Sequence, residues 1–123
     1  MVDDGTLATT AQVLLAIGEN ASATQISLTN TNLWILMAES DMEKAFGDNI
    51  GLVANTGTTT SALKQWLAMV ASHRAAFYAV STNTDSWGLA TAQSKLNVFD
   101  SIWLGFLSDL KNNKADIIAD LGL

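Results

Sequence analysis

Residues 32–39 read Asn32-Leu33-Trp34-Ile35-Leu36-Met37-Ala38-Glu39. Apolar and polar residues do not alternate here, so a half-buried strand is excluded. Leu33, Trp34, Met37, Ala38, Met42, Ala45 and Phe46 recur at the 3/4 spacing of one helical stripe. The spacing predicts a helix from about Ala23 to Phe46. Asn30 and Asn32 weaken its first half and allow a start as late as Thr31. Gly47-Asp48-Asn49 supplies a stop and a turn.

The same period extends outward from this stretch. Upstream, Thr9 and Thr10 can cap a short helix ending near Ile17, with Val13, Leu14 and Ile17 inward and Gly18 as its stop. Residues 1–8 carry no period and are expected to be flexible. Downstream, residues 49–60 are rich in Gly, Asn and Thr and read as a loop. A third long helix is expected over 62–81, where Leu63, Trp66, Leu67, Val70, Arg74, Phe77 and Tyr78 recur. Its alanines permit close helix packing. A fourth is expected over 90–112, faced by Leu96, Phe99, Trp103, Phe106, Leu107 and Leu110. Val98, Ile102 and Leu104 widen that stripe beyond one face, which suggests burial against another subunit. The expected architecture is all-α: an antiparallel bundle of four main helices over 9–112, with a short tail over 113–123.

Composition narrows the function classes. At 123 residues the chain is one domain long. It has no cysteine, so a disulfide framework and a thiolate zinc site are excluded. It has no proline, so nothing in it breaks a helix as proline does. Six basic against twelve acidic residues give a net charge of −6. Such a surface repels nucleic-acid phosphates and anionic lipids. The N-terminus is acidic where a secretory signal is basic. The longest apolar run, Leu33 to Ala38, is far short of the ~20 residues that span a bilayer.

Candidate chemistry is sparse. His73 is the lone histidine. A catalytic imidazole needs a nucleophile and an orienting carboxylate, and Ser72 beside it points elsewhere on a helix. Arg74, on or beside the apolar stripe, is expected to pair with an acid in a buried or interfacial setting. Glu39, Asp41 and Glu43 form the densest acidic group; Glu39 and Glu43 share a helix face, Asp41 does not, and the group reads as solvated. Residues 51–60 resemble a phosphate loop only in glycine content and lack its Gly-Lys-Ser/Thr ending. The tryptophans lack the basic groove of a base-stacking platform. Trp87 falls in a loop and is the one expected to face a partner. No cofactor and no metal is expected.

The order of segments resembles the small all-helical head–tail connector (adaptor) proteins of tailed bacteriophages. The residues that carry the resemblance are Thr9 to Leu15 with Gly18 to Thr24, Asn32 to Glu39, His73 to Ala79, Thr91 to Asn97 and Leu107 to Lys111. The resemblance implies a non-enzymatic virion protein of the neck, drawn from the host cytoplasm. It implies a homo-oligomeric ring, usually twelve-fold, beneath the portal protein, with the tail or a stopper protein docked on it. DNA passes through such a ring without specific binding. By analogy, Ile117, Ile118, Leu121 and Leu123 would dock on the portal. Trp34, Trp87, Ile102, Trp103 and Arg74 are the expected subunit contacts. The alternatives are a neck stopper or tail-completion protein and, from another class, a small helical cytosolic enzyme or regulator.

Overall fold

A computed structural model of the chain describes residues 5–19, 21–47, 61–82 and 87–120. Among them are five helices and no strand: α1 (Thr10–Ile17), α2 (Ala23–Ile26), α3 (Leu28–Phe46), α4 (Ser61–Thr82) and α5 (Leu89–Asp120). The expected all-α bundle is borne out. No helix among the described residues is long and apolar enough to cross a membrane.

Helix α1 begins and ends as its sequence dictates. Thr9 accepts the Gln12 N–H, and the Gln12 side chain accepts the Thr9 N–H, a reciprocal cap that satisfies two otherwise orphaned donors. Gly18 closes the helix at φ +86°, which glycine adopts without strain, and its N–H reaches the Leu14 carbonyl. The predicted helix over 23–46 is instead two. Ser22 and Gln25 make a second reciprocal cap on α2, and Ser27 is extended. Polar side chains take over the carbonyls at this break. Asn30 Nδ2 donates to Thr24 O, and Thr31 Oγ1 donates to Ser27 O. Gln25 turns fully inward and donates through Nε2 to Ala79 O of α4.

The core forms around α4. Antiparallel α3 and α5 flank it, and α1 lies alongside. Ala71, Ala75, Ala76 and Ala79 are fully buried and let backbones approach closely. Val13 and Ile17 from α1, Ile35, Ala38, Met42 and Phe46 from α3, and Leu67, Val70 and Val80 from α4 fill the centre. Phe106 of α5 joins the helices at one end. Its ring lies 5.9 Å from Phe46, 5.4 Å from Trp66 and 5.2 Å from Trp103, centroid to centroid.

Residues 5–8 are not free, which corrects the expectation for the N-terminal segment; residues 1–4 lie outside the described residues. Leu7 and Ala8 are buried. The Thr6 and Leu7 N–H groups donate to the Glu39 carboxylate, at 2.9 Å and 2.7 Å to Oε2. Glu39 is therefore buried rather than solvated. Two backbone donors compensate the desolvation of its charge. Gly5 lies so close that a Cβ there would run into Ile35 and Glu39 Oε2. At the other end, α5 continues past the predicted stop at 112. Asn113 leaves helical geometry (φ −129°, ψ 20°), so residues 114–120 of the segment expected to form a tail are a re-aimed last helical piece, while 121–123 lie outside the described residues. The predicted loop over 49–60 lies outside the described residues.

Phe106→Ala should lower stability by about 3–5 kcal/mol, the usual cost of emptying a fully buried aromatic site. A urea titration measures it. Glu39→Gln keeps one acceptor oxygen but aims an amide at the N–H donors. It should cost about 1–3 kcal/mol and speed hydrogen exchange at Thr6 and Leu7.

Candidate functional site

Three features on the bundle surface exceed what packing alone requires. The first is a polar centre between α3, α4 and α5. Arg74 projects from α4 with Nε 3.2 Å from Asp41 Oδ2 of α3. Its guanidinium lies 4.5 Å from the Trp103 ring centre and 5.2 Å from those of Phe77 and Tyr78. The cation thus sits against three aromatic faces while one carboxylate takes its charge. The Tyr78 hydroxyl donates a short hydrogen bond to the same Asp41 oxygen. Burial pushes the Tyr78 phenol above its ordinary value, and the bond to Asp41 adds to the rise, while Arg74 opposes it. The ion pair expected of Arg74 is present, with Asp41 as its acid.

The second feature is the outer face of α3. The sequence places Leu33 and Met37 in the buried stripe, but the structure turns them outward with Leu36. Their exposures are 55% for Leu33, 45% for Leu36 and 40% for Met37. The buried arc is set by Ile35, Ala38, Met42 and Phe46, with Trp34 and Glu39 at its flanks. Residues 33, 36, 37 and 40 fall on the opposite side at about 100° per residue. A shallow depression formed by Leu36, Met37, Ser40, Asp41 and Tyr78 joins this face to the Arg74 centre.

The third feature is a groove of about 620 Å³ between α1 and α4. Leu15, Ala16, Ala68 and Met69 give it an aliphatic lining, and Thr6 and Leu7 close one side. Leu15 is 85% exposed. Lys64 is the one lysine, arginine or carboxylate among the lining residues. His73 also lines the groove, its ring edge-on to Phe99 of α5. Its Nδ1 is 2.7 Å from Met69 O, and since a carbonyl only accepts, the proton sits on Nδ1. The Ser72 hydroxyl donates to the same carbonyl. Ser72 does not point away from His73 as expected, since its Oγ lies 3.4 Å from Nδ1, but both groups bond the Met69 carbonyl and no carboxylate lines the groove to orient them. No cluster of His, Asp and Glu able to hold a metal occurs among the described residues.

The expected contact residues divide among these features. Arg74 and Trp103 come together, and Ile102 is half-buried beside them in sequence. Trp34 is 8% exposed and occupied by its own core, which leaves little of it for a neighbour. Trp87, half-buried, also makes contacts within the chain. Its Nε1 donates to Glu19 O at 2.7 Å, and Lys95 Nζ lies 5.4 Å from its ring centre. Of the expected docking anchors, Ile117 is buried and Ile118 half-buried, while Leu121 and Leu123 lie outside the described residues. Asp41, expected as one of a solvated acidic group, and Met69, which the sequence did not single out, both belong to the site. Arg74 and Tyr78 at i, i+4, with an acid on a partner helix, is the signal that points to the first of them.

Comparison with protein-family models, with curated proteins and with solved structures finds no match for the chain.

Tyr78 is the single tyrosine, so its titration can be followed directly by ultraviolet absorbance. The folded midpoint should lie above the ordinary phenol value of about 10. Because the folded chain favours the neutral phenol, its stabilising contribution is complete below the unfolded-chain value. It is lost as pH rises through the folded one. Urea midpoints should therefore fall more steeply above pH ~10 in the native sequence than in Tyr78→Phe.

Proposed function

We propose that the chain is a structural subunit of a closed homo-oligomeric ring, the head–tail adaptor of a tailed-bacteriophage virion. In this reading the ring sits beneath the portal protein, extends the DNA channel and offers the tail or a stopper protein its docking surface. The observation that carries the proposal is the pair of unpartnered aliphatic surfaces, the outer face of α3 and the α1–α4 groove.

A ring needs two different faces on each subunit. These two look in opposite directions. Tyr78 marks the side of α4 turned to α3, through its bond to Asp41. Met69, in the groove, is nine positions away, half a turn round the helix at about 100° per residue. Nearly opposed contact faces mean a small rotation per subunit, about 30° in a twelve-membered ring. Such geometry favours a ring of many copies over a compact dimer. The net charge of −6 suits a wall that DNA slides past without binding. Of the proposed portal anchors among the described residues, Ile117 is buried within the chain, and Ile118, beyond the kink at Asn113, keeps some surface for such a contact. A stopper or tail-completion protein of the same neck is the second reading. It differs in binding the adaptor rather than the portal.

Light scattering on the purified chain, alone and with the portal protein of the same virion, tests the proposal. The expected result is a stoichiometric ring captured on the portal. A strict monomer or dimer that ignores the portal overturns it.

A further inference from the structure

We infer that residues 5–8 are a detachable strap, latched by the Glu39 carboxylate, whose release opens one side of the α1–α4 groove while the bundle stays folded. Every contact involved lies within one copy of the chain, so the strap operates whether or not copies join in a ring.

The attachment is narrow. Among the described residues, the hydrogen bonds that join residues 5–8 to the rest of the chain all end on Glu39. The Thr6 N–H reaches Oε1 at 3.1 Å and Oε2 at 2.9 Å, and the Leu7 N–H reaches Oε2 at 2.7 Å. Residues 5–8 belong to no helix, so no ladder of backbone bonds holds them. Beyond the bonds to Glu39, the strap is held by burial of Leu7 and Ala8, one large side chain and one small one. Against this burial stands the conformational entropy of four ordered backbones. Hydrogen bonds to a charged acceptor are stronger than neutral ones. The carboxylate therefore decides whether the strap stays down.

The strap can leave without taking its neighbours with it. Helix α1 is capped from within, because Thr9 and Gln12 bond each other. The hinge therefore falls between Ala8 and Thr9, where the Thr9 backbone is extended (φ −102°, ψ 158°). Thr6 and Leu7 line the groove together with Leu15 and Ala16 of α1. At the other end of the strap, Gly5 lies on Ile35 and Glu39 of α3. Lifting residues 5–8 removes one wall of the groove. It also joins the groove to the α3 surface at Ile35, which is fully buried while the strap is down.

Two substitutions release the strap by unrelated means. Glu39→Gln removes the charge. Gly5→Ala places a Cβ 2.2 Å from Ile35 Cγ2 and 2.7 Å from Glu39 Oε2, too close for the strap to keep its seat. Hydrogen exchange at Thr6 and Leu7 follows the strap, and at Ala75 and Ala76 of α4 it follows the bundle. In the native sequence the strap amides should exchange faster than the α4 amides. Their exchange should also depend less on urea, because opening the strap exposes little surface. Each substitution should speed the strap amides by about 10- to 100-fold. It should speed the α4 amides by no more than the protection that the strap amides show in the native sequence. The double variant should be no less protected in α4 than the worse single one, since a released strap cannot be released again. Both single variants should bind the dye anilinonaphthalene sulfonate more strongly than the native sequence, with helical circular dichroism unchanged. Strap and α4 amides that share one rate and one urea dependence overturn the inference, because the strap then opens only with the bundle. So do additive losses in the double variant, which would make Gly5 and Glu39 ordinary core positions. Fast strap exchange without dye binding overturns it as well, because the groove then stays closed.

Discussion

Helix α4 must bury most of its circumference, and the rest of the molecule follows from that constraint. Its buried residues, from Val70 and Leu67 through the alanines to Val80, cover well over half of its circumference, so helices can close on it from several directions. α3, α1 and α5 do so, each contributing one apolar face. None of the three could bury its own face in isolation, because a lone helix of this length gains little without tertiary packing. The bundle is therefore organised about an axis rather than as a flat pair of layers. The sides of α1 and α3 turned away from α4 are left in contact with solvent, and it is there that the exposed aliphatic groups collect.

Apolar packing of this kind leaves several arrangements close in energy, because alanine faces are interchangeable. Polar groups distinguish among them. Among the described residues Glu39 accepts from the backbone of residues 6 and 7, and Gln25 donates to the Ala79 carbonyl. Arg74 satisfies its charge on Asp41 while three rings cover its faces. Each contact is made in one register of one helix pair. In a shifted register, the buried carboxylate or amide would lose its partner, at a cost larger than the net worth of the bond.

Much of this was legible in the sequence, for reasons that are local. The Thr9 cap, the Gly18 stop and the 3/4 recurrence through Trp34, Ala38, Met42 and Phe46 are written in a few adjacent turns. What escaped depends on residues far apart in the chain. Glu39 reads as solvated until a strand of backbone some thirty residues earlier is laid on it. The break at Ser27 is decided by Gln25 reaching α4. Leu33 and Met37 fit a helical period as well as Ile35 and Ala38 do. Only the position of α4 determines which arc turns inward. For the candidate site, Arg74 and Trp103 were visible as residue types, whereas the α1–α4 groove exists only once two helices are side by side.

The end of α1 is held by the start of α5. Lys95 Nζ donates to Ile17 O at 2.9 Å, beside the Trp87 bond to Glu19. The lysine supplies positive charge where the carbonyls at a helix C-terminus are unpaired. These bonds join residues separated by 78 and 68 positions. They can form only after the chain between has closed on itself, and closure of so long a loop is entropically slow. These two bonds are therefore late events in folding. During synthesis α4 emerges before α5, so α1 meets its main apolar partner first and the bonds from α5 fasten the α1 wall of the groove afterwards.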